Sequence, residues 1–409
     1  MKIGIIKETK TPIDNRVAIS PQSAEKILKQ CSEDNAERRK DISIALEKSD
    51  NRCFKPTMYD YLGVETDKED MSDCDVLFGV KEVNIEALIP NKHYFFFGHV
   101  AKMQEYNKPL LQAMVDKHIT FTDYEYLTDE KGNRVCAFGW YAGVVGAYNT
   151  IRLIGKRYGL FDVGAIHGFY DVDKFKDVAP KLKQTKLNIL VTGDGKVALG
   201  VRIVLGFVGY KEVPLNSEEL ANGFCYSVAK TQDLVERIDG EPYSRDDFHA
   251  HPEMYRSKFD QYTKKYHALI AAHKWEKGQP IYLSEKTLRN AKNNIKVVGD
   301  ITCDINGSIC TTIKPSTHKQ PFYSVKLLKG KVVKCSDTSK DAISVMAVDN
   351  LPNALPIDAS VGFSTELEDV IINHLLVNGA DDEMIKRATI VKNGRITDRY
   401  TYLNDYLKA

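Results

Sequence analysis

The chain has no C-x-x-C pair: its eight cysteines, Cys31, Cys53, Cys74, Cys136, Cys225, Cys303, Cys310 and Cys335, are scattered. That scatter indicates neither a structural zinc site nor a disulfide framework, and most of these thiols read as buried small hydrophobes. No apolar run approaches the ~20 residues of a membrane-spanning helix. Met1-Lys2-Ile3-Gly4-Ile5-Ile6 leads straight into an apolar strand, without the apolar core or cleavage site of a signal peptide. Neither sign of charge dominates: 57 Lys and Arg face 56 Asp and Glu, a net charge of +1 with no long single-sign block. There is then no electrostatic footprint for nucleic acid or an anionic membrane. No fixed-period repeat and no low-complexity segment is present. A cytoplasmic protein acting on small molecules is expected, and a homo-oligomer stays open.

Against these absences, residues 187–206 stand out. Leu187 to Val191 is a short apolar run that reads as a strand buried on both faces. Gly193 and Gly195 then allow a tight turn, and a helix follows whose N-terminal N–H groups and dipole favour a phosphate. Ala198 stands where the third glycine of G-x-G-x-x-G falls, a replacement the dinucleotide fingerprint accepts. Gly193, Gly195, Lys196 and Val197 are therefore candidate pyrophosphate contacts.

At 409 residues the chain suits two domains. Strands are expected at Lys2–Ile6, Asp75–Val80, Tyr94–Phe97 and Thr120–Asp123, with helices near Pro21–Gln30 and Glu105–Asp116. Further parallel strands are expected at Ala268–Ala272 and Ile295–Ile301. The run Phe138–Ile154, rich in small residues, reads as a long buried helix crossing between domains, and a helix from about Ile357 to Leu376 reads as the return. The expected fold class is α/β: two Rossmann-like doubly wound parallel-sheet domains linked by long crossing helices, with a ligand cleft between them. Residues 1–140, completed by 360–409, would form a substrate domain, and 141–359 a dinucleotide-binding domain with a long insertion at about 216–267. Much of that insertion reads as helical and charged. Its His249 and His251 are i,i+2, which puts them on different faces of a helix, so no metal site is expected.

Lys81 and His99 each follow an apolar strand directly. In open α/β sheets ligands bind beyond the C-terminal ends of strands, and a hydride transfer to an imine or ketone needs a proton donor nearby, for which histidine is suited at neutral pH. A surface lysine and a satisfied strand-end histidine are the plain alternatives. Arg16, in a polar loop before a helix, could clamp a substrate carboxylate or form a local salt bridge, and Arg134 poses the same choice. Asp300 and Asp304 bracket a late strand end, where a carboxylate could meet nicotinamide, ribose or substrate amine, or simply form a turn.

These residues carry a family resemblance. Gly4-Ile5-Ile6-Lys7-Glu8-Thr9-Lys10 with Asn15-Arg16-Val17-Ala18-Ile19-Ser20-Pro21 resembles the N-terminal signature of the alanine dehydrogenase, transhydrogenase and lysine-forming saccharopine dehydrogenase superfamily. Phe97-Gly98-His99, Asp123-Tyr124-Glu125, Arg134-Val135-Cys136-Ala137-Phe138-Gly139, Thr192-Gly193-Asp194-Gly195-Lys196-Val197, His251-Pro252-Glu253-Met254-Tyr255 and Asp300-Ile301-Thr302-Cys303-Asp304 are similar to the lysine–ketoglutarate reductase domain of aminoadipic semialdehyde synthase. The resemblance implies condensation of L-lysine with 2-oxoglutarate and reduction of the imine to saccharopine. It implies Lys81 and His99 as an acid/base pair, Arg16 and Arg134 as carboxylate binders, Glu125 as an acid that tunes Lys81 and receives a cationic amine, and Asp304 near the nicotinamide. The bifunctional family continues into a saccharopine-oxidising domain where this chain stops at Ala409, so a single activity is expected. The region about 20 residues past the glycine turn, Tyr210 to Ser217, carries no acid at its tip, and the similar domain uses NADPH. NADP(H) is therefore favoured, with NAD(H) as the alternative. An alanine dehydrogenase, another opine-type amino acid dehydrogenase and a non-catalytic transhydrogenase-like subunit are the competing readings.

Overall fold

The computed structural model describes residues 1–33, 42–339 and 341–408. The chain divides into two compact units, Met1–Phe138 with Pro356–Ala409, and Gly139–Leu355.

In the first unit, β1 (Lys2–Ile5), β2 (Ser43–Glu47), β3 (Glu65–Lys68), β4 (Val76–Phe78), β5 (His93–Phe96) and β6 (Thr120–Asp123) lie parallel in the order β6-β5-β4-β1-β2-β3. The central strands are near-continuous apolar runs because they are buried on both faces, as with Ile3 and Ile5 of β1 and Val76, Leu77 and Phe78 of β4. Helix α1 (Pro21–Glu33) starts where proline suits the first helical position, and the Ser20 hydroxyl accepts the N–H of Ser23 at 3.2 Å. Between β5 and β6 a 3₁₀ turn at Glu105–Asn107 leads into α2 (Lys108–Asp116). Because all six strands are parallel, the C-terminal ends of β1, β4, β5 and β6 share one sheet edge.

The second unit opens with α3 (Gly139–Arg157), then β7 (Ile189–Thr192) and α4 (Lys196–Val208). Helices α3 and α4 meet backbone to backbone. A Cβ at Gly143 would lie 2.0 Å from the Val197 carbonyl oxygen, and one at Gly200 would lie 2.2 Å from that of Trp140. The small-residue density of the 138–154 run thus serves helix packing inside this unit. After α4 come β8 (Lys211–Glu212), β9 (Cys225–Ala229), β10 (Val235–Arg237), α5 (Arg245–Ala250), β11 (Tyr255–Ser257), β12 (Ala268–Ala271), β13 (Val297–Asp300), β14 (Phe322–Leu328), β15 (Lys331–Cys335) and β16 (Ile343–Met346). The main sheet has the order β15-β14-β16-β13-β12-β7-β9-β8, parallel from β16 to β8 and antiparallel at β14 and β15.

The segment 216–267 corrects the expectation of a mainly helical connection. It contains β9, an interior strand of the sheet between β7 and the edge strand β8, and its longest helix, α5, has six residues. A separate antiparallel pair, β10 with β11, and short helical turns, among them Thr231–Leu234, make up the rest of its regular structure.

The chain returns to the first unit at α6 (Pro356–Asp369), which continues through a π-helical stretch, Val370–Leu375. Two strands close the fold: β17 (Thr389–Lys392) pairs antiparallel with β6, and β18 (Arg395–Ile396) with β17. Both changes of unit coincide with the first residue of a long helix, Gly139 and Pro356.

Among the described residues, Cys74, Cys136 and Cys225 are buried and Cys53, Cys303, Cys310 and Cys335 half-buried. Four of the seven are thus only partly covered, fewer buried than their sequence context suggests, and the Cys31 side chain lies outside the described part. No helix among the described residues is long and apolar enough to cross a membrane.

Candidate active site

The C-terminal edge of the first sheet gathers Glu8 past β1, Lys81 past β4, His99 past β5, and Asp123 and Glu125 at the end of β6. Glu8 accepts the backbone N–H groups of Val80 at 2.6 Å and Lys81 at 2.8 Å, joining the end of β1 to that of β4. His99 has φ 54°, in the left-handed region, and this turn lets the N–H groups of Gly98 and His99 converge on Asp123 Oδ2, each at 3.1 Å. Asp123 Oδ1 accepts the N–H of Glu125 at 2.9 Å. One buried carboxylate therefore fixes both His99 and Glu125.

The Glu125 carboxylate stands 3.3 Å from His99 Nδ1, 2.9 Å from Lys102 Nζ and 3.0 Å from an Arg134 Nη2. The acid that the resemblance sets to tune Lys81 is brought by the structure to the His99 ring. The charges acting on Lys81 are those of Arg16, Glu82, Lys10 and Asp14. Arg16 is buried and forms a two-point pair with Asp14, Nε to Oδ1 at 2.9 Å and Nη2 to Oδ2 at 2.6 Å. Its guanidinium lies 4.1 Å from the centre of the Phe138 ring, which stacks on Phe363 of α6 at 4.4 Å. Two serines of α6 hold this loop, Ser360 accepting the N–H of Val17 and Ser364 that of Ser20, both at 2.9 Å.

These surroundings move protons in definite directions. Burial, followed by the Arg16 charge, lowers the Lys81 ammonium below its ordinary value, so a neutral amine is more accessible. Burial pushes the Glu8 carboxyl up to about 7, and Asp14 adds in the same sense. Burial also raises Asp123. Glu125 goes the other way: burial opposes ionisation, but the His99 bond and the Lys102 and Arg134 charges hold its carboxyl well below the usual carboxylate range.

In the second unit the glycine turn sits at the C-terminal end of β7. Gly193 has φ 89°, and a Cβ there would come within 2.7 Å of the Ala272 carbonyl oxygen and His273 Cα. Only glycine fits that approach. A Cβ at Gly195 would meet nothing within 4 Å, and as N-cap it brings no side chain to occupy the first-turn N–H groups of α4. Open space before an N–H-lined helix start fits a pyrophosphate. Lys196 and Val197 are the first two residues of that helix. Behind the turn, buried His273 bridges Thr192 Oγ1 at 2.6 Å and Ser308 Oγ at 2.7 Å, and burial lowers its ring to about 3, keeping it neutral.

At the end of β13 the two aspartates separate. Asp300 is buried and takes the Thr302 N–H and hydroxyl, the Cys303 N–H and the Thr312 hydroxyl, which makes it the organiser of a turn. Asp304 lies half-buried in the loop beyond, past the strand end. Among the described residues no group of three His, Cys, Asp or Glu could hold a metal ion.

Together these features define a two-domain Rossmann-like α/β protein with chemistry-bearing residues at strand ends. Comparison with known proteins agrees. Residues 4–145 match the family described as alanine dehydrogenase/PNT, N-terminal domain. The chain is 27% identical over 444 residues to an alpha-aminoadipic semialdehyde synthase of Arabidopsis thaliana, a match that covers 98% of this chain and 41% of that protein. It is 25% identical over 381 residues to a saccharopine dehydrogenase [NAD(+), L-lysine-forming] of Candida glabrata, covering 88% of each. The chain thus spans about 41% of the length of the semialdehyde synthases it matches. Among solved structures, an L-alanine dehydrogenase superposes with a TM-score of 0.66 at 16% identity, covering all of both chains. A transhydrogenase from Sinorhizobium meliloti superposes with 0.58 at 13% identity over 97% of this chain and 99% of the other.

Sequence reasoning did not single out Glu8, Asp14, Lys102 or Asp123. Glu8 and Asp123 follow the same strand-end rule that drew attention to Lys81 and His99. Asp14 sits in irregular backbone and Lys102 in the three-residue 3₁₀ turn Val100–Lys102, where no periodicity announces a contact.

Proposed function

We propose that this chain is a nicotinamide-dependent oxidoreductase acting at a carbon–nitrogen bond, and that it joins L-lysine reductively to 2-oxoglutarate to give saccharopine, with NADPH preferred over NADH. The observation that carries this reading is the strand-end cluster of the first unit. It combines a lysine biased toward its neutral form, a histidine held by a carboxylate, and two arginines. In this reading the first unit supplies acid–base groups and substrate contacts, and the second binds the coenzyme through Gly193, Gly195, Lys196 and Val197, with Asp304 near its reactive end.

Bound nicotinamide would supply a hydride to the imine carbon. Lys81, whose neutral amine burial makes more accessible, takes a proton at Nζ from the lysine ε-ammonium, freeing it to attack the ketone carbon. With Nδ1–H of His99 given to Glu125, Nε2 is the nitrogen left to exchange a proton. Nε2 takes the proton from the nitrogen that has attacked, the Lys81 ammonium returns its proton to the ketone-derived oxygen, and the protonated His99 ring then gives its Nε2 proton to the carbinolamine hydroxyl, which departs as water and leaves the protonated imine. Arg16, its Nε and Nη2 tied to Asp14 and its face on Phe138, and Arg134, tied to Glu125, orient substrate carboxylates. Glu125, kept ionised by its cationic neighbours, receives a substrate amine.

The test is oxidation of NADPH, with NADH in parallel, by the purified protein given L-lysine and 2-oxoglutarate, each omitted in turn. Turnover that needs both substrates supports the reading. Activity on pyruvate with ammonia instead would make the protein an alanine dehydrogenase, and coenzyme binding without turnover of either pair would favour a non-catalytic subunit.

A further inference from the structure

The strand order of the second unit moves the place at which the adenosine ribose of a dinucleotide would be read. In doubly wound folds the strand beside the first one ends at that ribose, and the residue there separates a 2′-hydroxyl from a 2′-phosphate. Here the neighbour of β7 is β9, with Thr192 opposite Ala229 and the Gly193 N–H donating to the Ala229 carbonyl at 2.8 Å. Strand β8 lies one place further out. Its Glu212 is engaged there by Arg202 at 2.8 and 3.0 Å and by the Tyr226 hydroxyl at 2.6 Å. The region Tyr210 to Ser217, where spacing along the chain directs the search for a ribose-binding acid, is therefore on the wrong strand.

The residue that leaves β9 is Lys230. Its Nζ stands 3.6 Å from Asp194 Oδ2, inside the glycine turn, and both side chains are more than half exposed. Two carboxylates are close, and neither is placed as a ribose acceptor. Asp233 Oδ2 accepts the backbone N–H of Lys230 at 2.8 Å as the cap of the short helix that follows, and Asp194 faces the Lys230 ammonium. An exposed ion pair at this separation is weak, so an incoming dianion displaces it at little cost. From the far side, the connection between β10 and α5 brings the Tyr243 hydroxyl to the Thr231 side chain, next to Lys230.

We propose that Lys230 is the residue that sets coenzyme choice, its ammonium binding the 2′-phosphate of an NADP-type dinucleotide. The inference rests on the dinucleotide reading of the glycine turn given above. A compact cation contributes a charge-assisted bond to a phosphate that a ribose hydroxyl does not match.

The experiment is a titration of nicotinamide fluorescence, with the intact chain and its Lys230→Ala and Lys230→Asp variants, using NADPH and NADH separately and displacing each with 2′,5′-ADP or 5′-AMP. The side chain is exposed, so circular dichroism suffices to show that the variants remain folded. The unaltered chain binds NADPH more tightly than NADH. Lys230→Ala weakens NADPH by about tenfold or more and leaves NADH nearly unchanged. Lys230→Asp turns the preference toward NADH, and 2′,5′-ADP loses its advantage over 5′-AMP in both variants. An NADPH preference that survives Lys230→Ala, or an unaltered chain that prefers NADH, overturns the role of Lys230 and leaves the dinucleotide site standing. Failure of the unaltered chain to bind either coenzyme overturns both.

Discussion

Glu8 holds the backbone of Lys81: its Oε2 accepts the Lys81 N–H at 2.8 Å while Oε1 accepts that of Val80 at 2.6 Å. A side chain leaving one strand thereby fixes the turn that aims a side chain leaving its neighbour. The same carboxyl is raised to about 7 by burial, with Asp14 adding to the shift. A folded-state value above the unfolded one favours the protonated form. The resulting stabilisation is complete below about 4.5, the unfolded value, and is lost as pH rises through 7. Glu8→Gln, which cannot ionise, is expected to gain stability relative to the unaltered chain between pH 4.5 and 8, read by urea unfolding at several pH values. A constant difference across that range would contradict the buried ionisation.

Lys81 and His99 carry the proton transfers in the proposed reaction. Lys81→Met and His99→Asn are each expected to lower kcat by about 10²- to 10⁴-fold, with coenzyme binding by the separate glycine-turn site unchanged. Steady-state kinetics paired with NADPH fluorescence titration checks this. Retained turnover in either variant would remove that residue from the chemistry.

Helices α3 and α4 depend on two glycines for a different reason. A Cβ at Gly143 would meet the Val197 carbonyl oxygen at 2.0 Å, and backbone has no rotamer into which to retreat. Gly143→Ala is expected to destabilise the protein by about 3 kcal/mol or more. Gly206→Ala, in the same helix pair but with nothing within 4 Å, is expected to be neutral or to stabilise by up to ~1 kcal/mol. Chemical denaturation of the two variants separates close packing from helix propensity.

Acid should weaken the second unit through His273. Burial lowers its ring to about 3, below an unfolded value of about 6.5. The stability this represents is complete above 6.5 and is lost as pH falls, at about 1.4 kcal/mol per pH unit for one proton. His273→Asn breaks the bridge from Thr192 to Ser308, so it is expected to be less stable at pH 7.5 and to lose less between pH 6.5 and 5. Parallel slopes for the two proteins would show that His273 does not govern the acid limb.

Much of this architecture is legible in the sequence because its central strands are short apolar runs beside glycine or helix signals. β1, β4, β5, β6, β7, β12 and β13 all fall within a residue or two of where such runs occur. β9 does not announce itself: Cys225-Tyr226-Ser227-Val228-Ala229 places a serine, fully buried, at its centre. Its position beside β7 is a matter of long-range pairing, which no local pattern encodes. The consequence reaches the proposed coenzyme contact, since Lys230, which leaves β9, is 35 residues beyond Gly195 instead of about 20. Lys81 and His99 are visible as polar residues that end apolar runs. The partners that hold them in place are not, because Glu8 meets the Lys81 backbone across 73 positions and His99 meets Glu125 across 26.

The most direct test of the proposed chemistry follows the hydride itself. Purified protein is given L-lysine, 2-oxoglutarate and NADPH deuterated at the transferable position, and the product is examined by mass spectrometry and NMR. The account predicts one product containing both carbon skeletons, with deuterium on the carbon that had been the ketone of 2-oxoglutarate. Deuterium in alanine when pyruvate and ammonia are supplied, with no joined product from lysine and 2-oxoglutarate, would contradict it.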